Sequence, residues 1–279
     1  MGTIDLVKSA KNGKIAVGGT DCYYISFGTG TEPLIMLPGV GDGFKTAKGV
    51  AVPFALMYRA FARYFKVYVF SRRNGMPAGF TTADMADDLD EIMQRLGIDS
   101  AHVFGVSQGG MIAQQLAIRH PDRVKSLVLA VTASRPNDTM KTAIGTWLDM
   151  ADRDDYRGIM VDTAERSYTG AYLRRGRIMN KALAFAKPKD YTRFKILAKS
   201  CLEHDVYDEL DKIACPTLIL GASRDKIVSA QASVDMHGKI AGSELFMYEG
   251  YSHGVYEQAK DFNDRVLAFL VDRLAQQGE

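Results

Sequence analysis

One serine lies in a sequence pattern that can activate a hydroxyl group for attack on a carbonyl. The segment Gly105-Val106-Ser107-Gln108-Gly109-Gly110 follows a short apolar run typical of a strand and precedes a run with helical spacing. A sharp strand-to-helix turn holds its serine in a strained conformation and needs small neighbours two residues before and after, which Gly105 and Gly109 supply. The helix that begins there directs free N–H groups toward developing negative charge. The pattern therefore predicts that Ser107 is a nucleophile.

A serine nucleophile needs a base within hydrogen-bond reach, and His253 is the histidine best placed for that role. It lies between the last predicted strand and the last predicted helix, at the carboxyl end of a strand, where ligands bind in open α/β sheets. The imidazole needs an acceptor that orients it, and Asp225 follows a predicted strand at the same edge. We therefore predict a triad in the chain order Ser107, Asp225, His253. The remaining histidines and the nearby acidic residues are interpreted as structural or solvated: His102, His120, His204, His237, Asp205, Asp208 and Asp211.

The elements that position these residues alternate along the chain. The apolar, β-branched runs predict strands at Thr3–Val7, Asp21–Phe27, Pro33–Leu37, Lys66–Phe70, Ala101–Val106, Val124–Ala130, Pro216–Leu220 and Leu245–Tyr248. Helical spacing predicts helices at Val52–Tyr64, Thr82–Leu96, Gln108–His120, Ala230–Lys239 and Tyr256–Ala275. This alternation is typical of parallel βαβ units with helices on both faces. We predict a doubly wound α/β fold whose mostly parallel sheet has about eight strands.

The alternation is interrupted between the predicted strands that end at Ala130 and begin at Pro216. Residues 134–205 have a helical pattern without a convincing strand, so we predict a helical cap inserted into a core domain made of residues 1–133 and 206–279. The cap would cover the site, with Trp147, Met150, Tyr168 and Tyr172 as substrate-binding candidates and Met160, Met179 and Phe185 as further lining. For each of these side chains, packing of the cap onto the core is an equal alternative. The basic run Arg174, Arg175 and Arg177 is interpreted as a solvated face.

With these motifs in place, the chain resembles the α/β-hydrolase fold superfamily from about residue 20 to 275, in the group of small esterases and lactonases with a helical cap. The resemblance implies that the backbone N–H groups of Val40 and Gln108 hold the oxyanion, each worth about two to three powers of ten in rate. Two segments depart from the family pattern. Pro38 stands where the family's loop carries histidine, and the turn after the fourth strand reads Ser71-Arg72-Arg73-Asn74-Gly75. No catalytic role is predicted from that turn.

Composition and other motifs point away from other classes. The chain is 47% hydrophobic and 24% charged with a net charge of +2, which gives no electrostatic case for a nucleic-acid or membrane partner. The segment Gly39-Val40-Gly41-Asp42-Gly43-Phe44-Lys45-Thr46 nearly matches a phosphate-binding loop, but Phe44 occupies a glycine position. Three scattered cysteines suggest reduced thiols in a cytosolic protein. We expect no cofactor or metal, a cytoplasmic location without a signal peptide or membrane span, and a small-molecule partner.

These residues predict a carboxylic ester hydrolase, of carboxylesterase or lactonase type, that acts on a small, mostly apolar substrate through an acyl-enzyme. The serine at the nucleophile position argues against dehalogenase or epoxide hydrolase chemistry, which uses aspartate there in related proteins. Thioester and carbon–carbon bond cleavage fit the same triad. Two alternatives stay open: a ligand receptor or signalling module that retains the triad, and a non-hydrolytic enzyme on the same fold, such as a hydroxynitrile lyase or a perhydrolase.

Overall fold

A computed structural model of the chain describes residues 2–174 and 187–276. Its strands are β1 (Lys11–Val17), β2 (Thr20–Phe27), β3 (Glu32–Leu37), β4 (Phe65–Phe70), β5 (Ala101–Val106), β6 (Val124–Ala130), β7 (Thr217–Ala222) and β8 (Glu244–Tyr248). Its helices include α1 (Thr3–Ser9), α2 (Ala51–Met57), α3 (Thr82–Arg95), α4 (Gln108–Arg119), α5 (Asp138–Asp152), α6 (Tyr156–Ser167), α7 (Thr192–Glu203), α8 (Ala230–Lys239), α9 (Val255–Gln258) and α10 (Phe262–Gln276).

All eight strands form one sheet in the order β1-β2-β4-β3-β5-β6-β7-β8. The β1–β2 and β2–β4 pairs are antiparallel, and every pair from β4 to β8 is parallel. The central strands are buried on both faces, as expected for a sheet covered by helices on each side. The predicted eight-stranded, mostly parallel α/β fold is confirmed.

Local sequence explains where several helices begin. Thr81 caps α3 in a capping box with Asp84, and the buried side chains of the helix recur every three to four residues along one face. Asn137 caps α5 by accepting the N–H of Met140. Helices α5, α6 and α7 all lie in the connection between β6 and β7, where the helical pattern was expected. They share an apolar cluster with Met111 of α4.

Three element predictions are wrong. Residues Thr3–Val7 form part of helix α1, in which Leu6 is the side chain buried against the sheet. The helix expected at Val52–Tyr64 ends at Met57 and is followed by a short 3-10 turn, and the long last helix is divided into α9 and α10. Strand β1 was missed because it is polar, carries Gly13 and pairs on one side with β2.

Candidate active site

Ser107 occupies the sharp turn between β5 and α4, with φ 54° and ψ −122°. This region of backbone space is unfavourable for a residue with a Cβ and costs about 1–3 kcal/mol, so the surrounding contacts must hold it. The N–H of Ser107 donates to the carbonyl of Ala130 at 3.0 Å, and its own carbonyl accepts the Thr132 hydroxyl at 2.7 Å. These two bonds fix the turn to the neighbouring strand β6 and its loop.

The glycines around Ser107 allow the backbone to approach at distances that a side chain would prevent. A Cβ on Gly109 would lie 1.9 Å from the Leu37 carbonyl oxygen, and one on Gly105 would lie 2.4 Å from the Gly109 oxygen. A Cβ on Gly39 would come within 3.3 Å of the Ser107 Cβ. The predicted need for small residues at positions 105 and 109 therefore has a direct steric cause. The short distance from Gly39 shows that the Pro38–Gly41 loop lies against Ser107.

His253 and Asp225 lie together at the carboxyl edge of the sheet. The His253 Nδ1 atom is 2.8 Å from Asp225 Oδ2, and both residues are buried. The second carboxylate oxygen, Oδ1, accepts the N–H groups of Ile227 and Val228 at 2.8 and 2.9 Å. These bonds fix the carboxylate, and because Nδ1 faces Asp225, Nε2 is the ring atom left to exchange a proton with a nucleophile.

The loop that carries His253 is attached to the end of helix α6. The Ser252 hydroxyl donates to the Arg166 carbonyl at 2.5 Å, and the Gly254 N–H donates to the Ser167 carbonyl at 2.7 Å. Gly254 also has no room for a side chain, because a Cβ there would lie 2.4 Å from the ring of Tyr168. The helical region therefore fixes the histidine loop through its backbone and through the Tyr168 ring.

Val40 and Gln108, the predicted oxyanion donors, are each the first residue of a helix. Val40 begins a 3-10 turn (Val40–Gly43) after Gly39, and Gln108 begins α4. The first N–H groups of a helix have no carbonyl partner within it, so both are available to an oxygen near Ser107. The Gln108 side chain points away into the protein, where its amide nitrogen donates to the Leu197 carbonyl at 2.7 Å and to the Ser200 hydroxyl at 3.0 Å.

Arg72, for which the sequence predicted no role, is hydrogen-bonded to both segments that carry the predicted oxyanion donors. Its Nη2 atom donates to the Pro38 carbonyl at 2.5 Å and to the Gln108 side-chain oxygen at 3.2 Å. The guanidinium is fully enclosed, and burial is the main cause that lowers its pKa, while Asp42 opposes the shift. In the family the histidine that supports this loop comes from the Pro38 position; here the support comes from the turn after β4.

A second arginine joins the loop to helix α7. Asp42, with a side chain 2% exposed, accepts the Arg72 N–H at 3.0 Å and Nη2 of Arg193 at 2.5 Å. Arg193 also donates to the carbonyl oxygens of Asp42, Arg72 and Arg73. The contact is tight, since a Cβ on Gly43 would lie 2.6 Å from the Phe194 Cα. Asp42 and Arg193 are 151 positions apart in sequence, so no local pattern could have revealed the pair.

The predicted substrate-binding residues fall into two groups. Trp147 is buried in the apolar cluster of α5, α6 and α7, with its Nε1 donating to Asp162 at 2.7 Å, and Met150 packs against the same cluster. Tyr168 and Tyr172 instead lie near the histidine loop, with tilted rings whose centroids are 4.9 Å apart and the Tyr168 hydroxyl donating to Glu257 at 2.5 Å. Met179, Phe185, Arg175 and Arg177 lie outside the described residues.

A cavity of about 430 Å³ adjoins the oxyanion loop. Its walls come from the Pro38–Gly41 loop, helix α2, the ends of β3 and β5, and helix α9. The apolar lining residues are Met36, Leu37, Pro38, Val50, Phe54, Met57, Val69, Phe104 and Val106, and the polar ones are Asp42, Lys45, Thr46, Tyr58, Tyr256 and Glu257. Gly39 and Val106 line the cavity and also adjoin Ser107, so the cavity lies beside the serine.

The other histidines and the cysteines lie elsewhere. His102 and His204 are buried, and burial is the main cause that lowers their pKa values to about 4 and about 3. The three thiols are free, and burial raises the pKa of each, to about 12 for Cys22 and Cys201. Within residues 2–174 and 187–276, no group of three or more His, Cys, Asp or Glu side chains could hold a metal ion, and no helix there is long and apolar enough to cross a membrane.

Comparison with known proteins agrees with this architecture. Over 197 residues the chain is 29% identical to the protein named "Putative carbamate hydrolase RutD" of Caulobacter sp. (strain K31), which covers 68% of this chain and 72% of that protein. The enol-lactonase of Burkholderia xenovorans LB400 superposes with a TM-score of 0.76 at 22% identity, covering 93% of this chain and all of that one. A thermophilic esterase of Thermogutta terrifontis superposes with a TM-score of 0.75 at 22% identity, covering 95% and 99%. The family model described as the alpha/beta hydrolase fold matches residues 32–260, and the chain therefore belongs to the α/β-hydrolase fold family.

Proposed function

We propose that the protein is a serine hydrolase that cleaves an ester-like bond of a small, mostly apolar substrate, with Ser107, His253 and Asp225 as its triad. One observation carries the proposal. A serine in a strained strand-to-helix turn and a buried His253–Asp225 pair lie at the same edge of one sheet. Strained backbone of the kind found at Ser107 clusters at functional sites.

The proposed reaction uses the three triad side chains and two backbone N–H groups. His253 Nε2 takes the proton of the Ser107 hydroxyl as its Oγ attacks the carbonyl carbon, while Asp225 stabilises the resulting imidazolium through Nδ1. The negative oxygen of the tetrahedral intermediate accepts the N–H groups of Val40 and Gln108. His253 then gives its proton to the leaving group. In the second half of the reaction His253 takes a proton from a water molecule, which attacks the carbonyl of the acyl-enzyme. His253 finally returns that proton to Ser107 Oγ as the acyl group leaves. No cofactor or metal takes part in this scheme.

The substrate class follows from the cavity beside the serine. Its volume, about 430 Å³, falls within the range of small-molecule pockets, and most of its wall is apolar. Residues 134–205, with α5, α6 and α7, act as the cap in this proposal, and Tyr168 and Tyr172 border the histidine loop. Trp147 and Met150 contribute by holding the cap helices together, since they pack inside the cluster that joins them.

A second candidate is carbamate hydrolysis, which is favoured by the name of the Caulobacter relative. A carbamate presents the same carbonyl to Ser107 and needs the same oxyanion donors, so the triad does not distinguish it from an ester. The two differ in the group that leaves and in the polarity of the acyl portion. The apolar lining of the cavity supports the ester or lactone as the first choice.

The direct test is turnover by purified protein of p-nitrophenyl esters of increasing chain length, of γ- and δ-lactones and of alkyl carbamates. We expect esters of short to medium length to be hydrolysed, and Asp225→Asn to lower kcat by about four powers of ten, because the amide favours the wrong tautomer of His253. Asp208→Asn, at an exposed aspartate that precedes β7, is the matched control and should behave as wild type. Equal rates for Asp225→Asn and wild type would exclude the proposed triad. Preference for carbamates over esters would select the second candidate.

A further inference from the structure

Two tyrosines, Tyr58 and Tyr256, line the cavity beside the Pro38–Gly41 loop. Tyr58 ends helix α2 and Tyr256 lies in α9, three residues after His253, and both line the cavity among apolar side chains. Phe54 stacks on the Tyr58 ring with centroids 5.6 Å apart, and Phe262 lies edge-on to Tyr256 at 6.5 Å. These aromatic contacts hold the two rings in place, one after helix α2 and the other in helix α9, in the wall of the same cavity.

Neither hydroxyl is used by the protein itself. Among residues 2–174 and 187–276, neither the Tyr58 nor the Tyr256 hydroxyl forms a hydrogen bond, whereas the nearby Tyr168 hydroxyl is bound to Glu257. Both hydroxyl oxygens keep an exposed surface, whereas protein atoms fully enclose the unpaired hydroxyls of Tyr191 and Tyr248. A phenol in an apolar pocket without a partner gains free energy from any ligand oxygen that accepts its proton.

The charges around the pair determine which ligand oxygen fits. Burial, and then the Glu257 carboxylate, raises the pKa of Tyr58 to about 12. Burial is also the main cause that raises the pKa of Tyr256, followed by Glu257, Tyr58 and Asp225. Both phenols are therefore protonated donors at neutral pH. Glu257 lies next to the pair and would repel a ligand carboxylate, and Lys45, the cation that also lines the cavity, is exposed, so a neutral acceptor is favoured.

We propose that Tyr58 and Tyr256 form a second oxygen-binding subsite, so that the natural substrate carries a neutral carbonyl or hydroxyl oxygen in addition to the bond that Ser107 attacks. The inference rests on the proposed function, because it assigns both oxygens to one substrate. It narrows the substrate class from simple apolar esters to oxo-, hydroxy- or diester compounds. One oxygen would occupy the oxyanion site at Val40 and Gln108, and the other would accept the phenolic protons.

The test measures binding to the Ser107→Ala protein by thermal-shift titration with ligands that contain no cleavable bond. The probes are 2-octanone and the octanediones whose second carbonyl occupies successive positions of the same chain. We expect at least one dione to bind about ten-fold more tightly than 2-octanone, which corresponds to one or two net hydrogen bonds. Tyr58→Phe and Tyr256→Phe should each reduce that advantage, and the double variant should abolish it.

The matched control is Tyr64→Phe, at a tyrosine that is 39% exposed, which should keep the full advantage of the dione. The proposal is overturned if every dione binds no better than 2-octanone, or if the double variant retains the preference. Because the Ser107→Ala protein binds without turnover, this result is independent of the hydrolase proposal. If the wild-type protein hydrolysed no ester but the Ser107→Ala protein still preferred a dione, the proposed function would be wrong and the proposed subsite would stand.

Discussion

Replacement of Arg193 by alanine tests whether helix α7 holds the oxyanion loop in place. The change removes the Arg193–Asp42 pair, at 2.5 Å, and the bonds to the carbonyl oxygens of Asp42, Arg72 and Arg73. It leaves the Asp42 carboxylate enclosed, with the Arg72 N–H as its remaining hydrogen-bond donor among the described residues. The loop from Pro38 to Gly43 then loses its hydrogen bonds to α7 and keeps its packing against Phe194.

The structure sets the size of both expected effects. Removal of one partner from a buried ion pair costs about 3–5 kcal/mol. The Arg193 side chain is 17% exposed, so we expect the lower end, about 3 kcal/mol of unfolding free energy. Loss of a whole oxyanion donor costs about two to three powers of ten in kcat. Here the Val40 N–H is displaced rather than deleted, so kcat should fall about ten- to a hundred-fold while KM stays within about two-fold.

The assay combines urea unfolding with steady-state kinetics on the best p-nitrophenyl ester. Arg193→Lys should give intermediate values, because an ammonium can reach Asp42 but cannot bond four oxygens at once. Arg119→Ala is the matched control, since it breaks an exposed pair with Asp87 at 2.6 Å and should cost less than about 1 kcal/mol with unchanged kcat. A destabilised Arg193→Ala enzyme with wild-type kcat would refute the reasoning, because the pair would then support the fold without positioning the loop.

Two further predictions follow from packing and burial. Gly109→Ala places a Cβ 1.9 Å from the Leu37 carbonyl oxygen and should lower the unfolding free energy by several kcal/mol. The control Gly145→Ala, in helix α5 with open space around it, should raise the unfolding free energy by about 0.5–1 kcal/mol. Both are measured by urea unfolding, and equal stabilities of the two variants would contradict the steric account. Burial lowers the pKa of His204 to about 3, whereas its ordinary pKa in the unfolded chain is near 6.5. Between these values the unfolded state binds a proton that the folded state does not, so stability is lost as pH falls from about 6.5 toward 3. Between pH 7 and pH 5 His204→Gln should therefore lose about 2 kcal/mol less than wild type. Equal losses in the two proteins would show that His204 does not titrate as described.

The parts of the fold that were predictable are those set by short-range patterns. Ser107, Asp225 and His253 could each be assigned because each follows a strand that the sequence predicts, and parallel strands bring their carboxyl ends to one edge. The capping residues Thr81 and Asn137 act over three positions, which a sequence window can contain. The roles of the three site residues remain predictions that the assays above address.

The parts that were not predictable depend on contacts between distant segments. Residues Thr3–Val7 alternate like a strand, but burial of Leu6 against the sheet favours helix α1, which is a tertiary effect. The pair of Asp42 and Arg193 joins the loop after β3 to helix α7 of the helical region, and Arg72 reaches Pro38 across the sheet edge. Pro38 departs from the family pattern, and the side chains that hold the loop, Arg72 and Arg193, come from elsewhere in the chain.

The most direct test of the central claim is intact-mass analysis after treatment with a fluorophosphonate, which reacts only with an activated serine. The account predicts a single adduct on the wild-type protein and none on Ser107→Ala, with labelling slowed by Asp225→Asn. An unlabelled wild-type protein, or an adduct that persists in Ser107→Ala, would contradict the assignment of Ser107 as the nucleophile.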